Sequence, residues 1–343
     1  MMSNRIISYA QRFEDLHLLR CFGERSDGFY IDIGSGHPVY DNSSLLFYLR
    51  GWHGVTVEPN PALARLTRAV RTRDRHIEAL VGASAGSATF YLVDDYHGLS
   101  TMIEDYARSA LREFAKTSQA LSVPVTTLRD ICEEHAPPAF DFLKVDVEGA
   151  EADVLLNGDW GRFRPRVIVV EALAPYTLMP AWESWEPFLT GHGYRHIWFD
   201  SLNRYYLAEE AADLARRFEG APASFDDAFQ FRNVKPADTD PAHPDHRLGT
   251  LLAGADMVSL PLLERDRLCE LLTADIAPGV LEQPAGAGDV ARVSEFLLGP
   301  DLPVSAEILN LPLAPRLRDV YAAIIDSERF RIACGRISAS YSW

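Results

Sequence analysis

The sequence predicts an α/β protein in which a mostly parallel sheet closes with an antiparallel hairpin and a small helical unit follows. Three observations carry that reading. From residue 29 onward, short and nearly continuous apolar runs alternate with segments of helical period, as expected of parallel strands covered on both faces. Residues 194–199 and 204–207 are separated only by Asp200-Ser201-Leu202-Asn203, a short polar connection suited to a hairpin. Beyond residue 247 the apolar spacing is helical, with no alternating run.

The elements follow in order. Phe13, Leu16, Leu19 and Phe22 recur at three-residue steps, which places them on one face of a short leading helix. Residues 29–33 (FYIDI) form a strand that ends at the Gly34-Ser35-Gly36 turn, after which Asn42 or Ser43 caps a helix through Leu49, with Gly51 as its terminator. Residues 54–57 (GVTV) make a second buried strand, followed by Glu58-Pro59-Asn60 and a helix starting at Pro61. A strand near 76–81, a pair of apolar turns near 88–93 and a helix around 103–116 come next. Residues 140–147 (FDFLKVDV), a helix from about Ala150 and residues 166–170 (RVIVV) add two strand units, joined by right-handed crossovers. Residues 236–247, rich in proline, aspartate and histidine, read as a linker between a domain over 1–235 and a helical accessory unit over 248–343. That unit carries helical patterns at 260–272 and 317–334, broken at Pro278-Gly279 and at 286–288.

Composition narrows the function. With 33 Lys and Arg against 49 Asp and Glu, the formal net charge of -16 opposes binding to nucleic acid or anionic lipid. Cys21, Cys132, Cys269 and Cys334 are too scattered for a zinc site and read as free thiols. The N-terminal residues lack the apolar stretch of a signal peptide and no segment approaches the ~20 apolar residues of a membrane span, so a cytoplasmic location is expected. Oligomeric state is not legible.

The strongest local motif is Asp32-Ile33-Gly34-Ser35-Gly36. Glycines at the end of a first strand allow close backbone approach by a nucleotide-like ligand, although the same residues also suit a plain tight turn. The dinucleotide pattern GxGxxG fails at Val39, and an acid ahead of the glycines suits a ligand carrying an ammonium group, as S-adenosylmethionine does. Glu58 closes the second strand. Alone it would be a solvated loop charge, but behind those glycines it is placed to accept from both hydroxyls of a ribose.

Three blocks then carry a family resemblance: YAQRFEDLHLL from Tyr9, the run from Asp32 to Pro61, and FLKVDVEGAEADVLL from Phe142. In order and spacing they resemble the FkbM methyltransferases over about residues 8–207. The resemblance implies a Rossmann-like class I methyltransferase fold, a seven-stranded sheet whose last pair is antiparallel, with S-adenosylmethionine as cofactor and a hydroxyl of a sugar or glycosylated metabolite as methyl acceptor. It assigns Asp32, Gly34, Ser35 and Gly36 to the methionine end of the cofactor, Glu58 to the ribose, and Asn60, Ala79 and Leu80 to the border of the adenine. Asn42 and Ser43 match a family Ser-Asn-Thr stretch loosely and are assigned to the cofactor with it. Gln11 and Asp15 match the leading block, either closing over the cofactor or serving as helix cap and solvated carboxylate.

Lys144, Asp146, Glu148 and Glu151 lie in the third block at the strand edge where catalytic groups of open α/β sheets collect. Alternation turns Asp146 and Glu148 to one side, so both are expected at the transfer site, Asp146 also touching cofactor, while Glu151 serves the following helix N-terminus. Glu171, closing the next strand, completes the expected catalytic set of Asp146, Glu148 and Glu171. Asp146 and Glu171 are also the expected ligands if Mg2+ takes part, although Ala172 stands where metal-dependent relatives carry a further ligand. Trp182, Trp185, Phe188 and Leu189 offer either a sugar-stacking wall or a buried helix face, the latter preferred for its spacing. His37, His97 and His192 are candidate bases only by residue type, and Ser100-Thr101 matches a position beside the family's active site. The competing functions are a nicotinamide-dependent oxidoreductase on the same sheet and a non-catalytic scaffold.

Overall fold

The computed structural model describes residues 6–341 apart from 24, 94–99, 102–117, 176–178, 221–224, 226, 300–310 and 312–313. His97 and the helix expected around 103–116 therefore lie outside the described residues. The strands are β1 (Ile6–Ser8), β2 (Phe29–Ile33), β3 (His53–Val57), β4 (Arg75–Ile77), β5 (Leu80–Val81), β6 (Gly86–Val93), β7 (Ser118–Thr126), β8 (Ala139–Val145), β9 (Arg164–Glu171), β10 (Tyr194–Phe199), β11 (Asn203–Ala208) and β12 (Ala228–Gln230). Seven of them form the main sheet in the order β10-β11-β9-β8-β2-β3-β4. β4, β3, β2, β8 and β9 run parallel, whereas β11 is antiparallel to both β9 and β10. The protein is thus α/β with a mixed sheet. Tyr30, Ile31 and Ile33 of β2 and Val167 to Val170 of β9 are fully buried, which is why these runs do not alternate with polar residues.

Two strand readings change. The run expected at 76–81 is divided: β4 ends at Ile77, and β5 turns away to join β7 and β6 in a separate three-stranded sheet. The apolar turns expected near 88–93 are the long strand β6, paired antiparallel with β7 from Gly86↔Val125 to Val93↔Ser118. Ala88, Phe90 and Leu92 of β6 pack with Leu121, Val123 and Val125 of β7 in a small core of their own, a two-residue period that tight spacing disguised. β7, which has no place in the sequence reading, carries Pro124 opposite Ser87 of β6. It is accommodated because β5 joins β7 only at Val125 and Thr126.

The C-terminal residues build a second core around Leu248, Leu260, Val320, Ile324 and Phe330. The segment expected to be a linker is part of this structure: Ala237 is fully buried, His243 and Asp245 nearly so, and the helix His246–Leu251 begins inside it. The Arg336 guanidinium donates to both Asp245 carboxylate oxygens at 2.7 and 2.6 Å. The last helix, Glu328–Ala339, also seals the main core, where Ile332 and Ala339 are buried. Glu328 at its start accepts from the Tyr48 hydroxyl and from Arg73 Nε.

Gly335 marks the closest approach of that helix. A Cβ there would lie 2.8 Å from both methyls of Val70, at the end of the helix Pro61–Val70, and 3.3 Å from Val39. Because β-branched Val70 is stiff, Gly335→Val should destabilise the protein by about 1–3 kcal/mol, read as a lower urea midpoint. An unchanged midpoint would mean that the two helices are not in contact. Among the described residues, no helix is long and apolar enough to cross a membrane.

Candidate functional site

A cavity of about 560 Å³ opens where β2, β3, β8 and β9 end, the edge at which open α/β sheets bind ligands. Its first wall is the turn after β2. The Gly34 and Ser35 amides donate to the Val57 carbonyl at 2.9 and 3.0 Å, tying the turn to the end of β3. Glu58 is held between that turn and the next helix, accepting from the Gly36 amide at 3.0 Å and from the Asn60 amide at 2.8 Å. Burial pushes the Glu58 carboxyl up to about 7. Gly34 has φ +73°, and a Cβ there would lie 1.6 Å from the Asp146 carbonyl oxygen. At Gly36, with φ +59°, a Cβ would meet nothing within 4 Å. Ala79, Leu80, Val81 and Phe90 supply an apolar wall beside Glu58.

Four residues expected to touch cofactor stand behind this wall. Asp32 is buried and accepts from the Ser44 hydroxyl at 2.5 Å. The Asn42 amide donates to the Ser35 and His37 carbonyls at 2.9 and 3.1 Å, and its oxygen receives the Ser44 and Leu45 amides. Asn42 thereby serves as acceptor for a helix, Leu45–Leu49, that starts slightly later than expected. Ser43 is buried beside it, and Asn60 caps the helix Pro61–Val70 by accepting from the Ala62 amide at 2.9 Å. None of the four lines the cavity: the polar groups of Asp32, Asn42 and Asn60 are committed to shaping the loop, and Ser43 is buried beside them. Arg71, which no motif flagged, underlies this arrangement. Its side chain is fully buried, it is paired with Asp74, and it donates to Asn42, Ser44 and Tyr30.

The opposite wall is acidic. β8 ends at Val145, and the Asp146 amide donates to the Ile33 carbonyl at 3.0 Å. Strand alternation stops there, so it does not orient Glu148. A left-handed turn does, with φ +53° at Glu148 and +101° at Gly149, fixed by Glu151 accepting from the Val147 and Gly149 amides at 3.1 Å each. One carboxylate oxygen from each of Asp146, Glu148 and Glu171 lies within 4.8 Å of the others. Burial, followed by the Asp146 charge, holds the carboxyls of Glu148 and Glu171 well above the usual range. Glu171 Oε2 has no hydrogen-bond partner among the described residues.

Lys144 lies just beneath. Its Nζ is 3.0 Å from Asp146 Oδ2 and 2.9 Å from Asn203 Oδ1, and Asn203 in turn donates to Glu14. Burial works against the Lys144 charge, yet Asp146, Glu14 and Glu171 hold the ammonium above the ordinary lysine range. Ser100 and Thr101 line the cavity, and the Thr101 hydroxyl donates to the Glu148 carbonyl at 3.1 Å.

Gln11 lines the cavity, whereas Asp15 is buried below it, accepting from the Ser8 hydroxyl and the Tyr9 and Leu16 amides. His37 also lines it, with Nδ1 receiving the Val39 and Tyr40 amides at 3.1 Å. His192 is occupied 2.8 Å from the Phe188 carbonyl and lies elsewhere. Trp185 and Leu189 are in the core, with Trp182 and Phe188 packed against it, and none of the four reaches the cavity. Arg12, Tyr40, Asp41 and Arg232 do line it and were not read from the sequence. Arg232 lies beyond the residues that carried the family resemblance, and no spacing connects it with them. Across Gln11, Arg12 and Arg232 lies a second cavity of about 510 Å³, faced by Phe13, Trp198 and Phe199.

Residues 32–196 match the family model described as the methyltransferase FkbM domain. The solved structure of methyltransferase FkbM from Methylobacillus flagellatus KT is similar at 15% identity and a TM-score of 0.33. The similarity covers 53% of this chain and 44% of that one, so the chain spans less than half of that protein's length. No curated protein matches the chain.

Proposed function

We propose, from the match of residues 32–196 to the methyltransferase FkbM domain, that the chain transfers a methyl group from S-adenosylmethionine to a hydroxyl of a sugar or glycosylated metabolite. The observation that carries this reading is one cavity joining the Gly34–Gly36 turn and Glu58 to the three carboxylates at the ends of β8 and β9. Its volume is in the range of small-molecule sites, Gly36 leaves open space, and Glu58 offers an acceptor to a ribose. When bound, the cofactor supplies an electrophilic methyl on a sulfonium whose charge an acidic wall favours. As the cofactor would exchange its C–S bond for the acceptor's O–CH3 bond, leaving as the thioether, a carboxylate of this wall would take up the acceptor proton. Glu148 and Glu171 are suited to take it because burial and the Asp146 charge raise their affinity for a proton. Asp146, held by Lys144, orients the acceptor hydroxyl.

A second reading adds Mg2+, favoured by the carboxylate grouping and the unpartnered Glu171 oxygen. Asp146 and Glu171 would be its ligands, and it would lower the proton affinity of the acceptor hydroxyl. Lys144 already places one positive charge beside Asp146, so the carboxylate route stands without the ion.

Glu58→Ala should weaken S-adenosylhomocysteine binding by about 1–3 kcal/mol, the loss of hydrogen bonds to a charged acceptor. Because hydroxyl donors favour the ionised carboxylate and Glu58 in the free protein titrates at about 7, affinity should rise with pH through that value and level off above it. The variant should lose this dependence. Calorimetry showing unchanged affinity in Glu58→Ala, or the same pH profile in both proteins, would count against the assignment. A thermal shift with NAD but none with S-adenosylhomocysteine would instead favour an oxidoreductase.

A further inference from the structure

We propose that Arg12 receives the carboxylate of the cofactor's methionine moiety, an inference that rests on the S-adenosylmethionine reading. In a glycine-rich turn that carboxylate would ordinarily find backbone amides. Here most of them are taken. The Gly34 and Ser35 amides donate to Val57, the Gly36 amide to Glu58, and the Val39 and Tyr40 amides to the His37 ring. The rest of the wall is hostile to an anion, since Asp41, Glu58, Asp146, Glu148 and Glu171 all line it.

Among the described lining residues the arginines are Arg12 and Arg232. Arg232 is committed to Asp41 at 3.2 Å. The Arg12 guanidinium makes no hydrogen bond or ion pair among the described residues, while its own amide is fixed by Glu14 at 2.6 Å. A guanidinium with no hydrogen-bond partner among the described residues, near enough to Asp41 to lower the proton affinity of its carboxyl, lines a cavity of carboxylates and is placed to receive a planar anion. The same cavity suits a zwitterion: its acidic wall takes the ammonium and sulfonium, and Arg12 takes the carboxylate. Ser35 Oγ, buried in the wall with no hydrogen-bond partner among the described residues, is a second donor lining the same cavity.

The test compares S-adenosylhomocysteine with 5′-methylthioadenosine, which keeps the adenosine and lacks the amino acid, by calorimetry on the full chain. Arg12→Gln should weaken S-adenosylhomocysteine about tenfold, as expected for loss of a charge-assisted hydrogen bond, and leave 5′-methylthioadenosine unchanged. Arg12→Lys should recover part of the loss, and the difference should shrink in high salt because Arg12 is exposed. Equal weakening of both ligands, or unchanged S-adenosylhomocysteine affinity with loss of methyl transfer, would overturn the proposal and move Arg12 to the fold or to the acceptor. Absence of S-adenosylhomocysteine binding to the unaltered protein would overturn the cofactor reading itself.

Discussion

Replacing Gly34 by alanine should cost roughly 3 kcal/mol or more of folding stability and abolish S-adenosylhomocysteine binding. The added Cβ would lie 1.6 Å from the Asp146 carbonyl oxygen and 2.8 Å from its carbonyl carbon. Both are backbone atoms, so no rotamer change relieves the contact. Moving the turn would break the hydrogen bonds of the Gly34 and Ser35 amides to Val57. Moving the end of β8 would break that of the Asp146 amide to Ile33. Gly36→Ala provides the comparison. It adds only the cost of a left-handed backbone, about 1–2 kcal/mol, because a Cβ there meets no neighbour. Urea denaturation of the pair should separate them clearly. A Gly34→Ala protein with an unchanged midpoint would mean that the glycine turn and the Asp146 backbone are not in contact.

That contact also explains why much of the site was legible. β2, β3, β8 and β9 are nearly unbroken apolar runs, each ending on a glycine or an acid, and such runs announce both strand and edge. Asp146, Glu148 and Glu171 line the cavity because they close or follow β8 and β9, and Ala79 and Leu80 line it from the segment that leads from β4 into β5. What the sequence hid was the distinction between a residue that touches the ligand and one that shapes the wall. Asp32, Asn42, Ser43 and Asn60 belong to the same motifs as Gly34 and Glu58, and only folded hydrogen-bond partners reveal that their polar groups face inward. Arg71 and Arg12 were hidden for a related reason. Arginine is ordinary in helices and loops, and nothing local distinguishes the one that is fully buried from the one whose guanidinium has no hydrogen-bond partner among the described residues.

The boundary near residue 240 shows a different limit. Proline, aspartate and histidine in series describe a chain that forms no regular element, which is true of residues 236–245. They do not reveal that Ala237 and His243 are buried or that Asp245 pairs with Arg336. Long-range contacts of this kind have no local period. Because the last helix seals the main core against Val70 and Val39, a fragment ending at residue 235 would expose that apolar surface.

Ligand-free stability should fall as pH rises through the range in which buried acids ionise. Burial pushes Asp15 up to about 6, Glu58 to about 7 and Glu14 to about 8. Between the ordinary carboxylate range and those values the folded state holds protons that the unfolded state has released, so stability decreases with pH across that interval. Because His17 and His76, lowered to about 4 by burial, oppose this trend up to their unfolded value near 6.5, the test is the range above it: thermal midpoints rising from pH 7 to pH 8 in the ligand-free protein would contradict it. The cluster of raised acids also bears on catalysis, because Glu148 and Glu171 are held above the usual range beside Asp146.

Asp146→Asn and Glu171→Gln should each reduce methyl transfer by roughly 10²- to 10⁴-fold, the usual contribution of a positioned acid or base. Their effects on folding should differ. Asp146→Asn removes the partner of a buried ammonium 3.0 Å away, leaving Lys144 with Asn203 and the more distant Glu14, so stability should fall along with activity. Glu171→Gln replaces a carboxyl whose neutral form is favoured by burial and by Asp146, so its thermal midpoint should stay unchanged or rise while activity is lost. That separation makes Glu171 the cleaner test of chemistry. Transfer would be followed as S-adenosylhomocysteine release with a panel of glycosylated acceptors, before and after EDTA and with Mg2+ restored. Activity that disappears in EDTA and returns with Mg2+ assigns Asp146 and Glu171 as ligands. Full activity in EDTA leaves Lys144 as the cation serving Asp146 and the carboxylates as the proton acceptors. Full activity in both variants removes the catalytic site from this edge of the sheet.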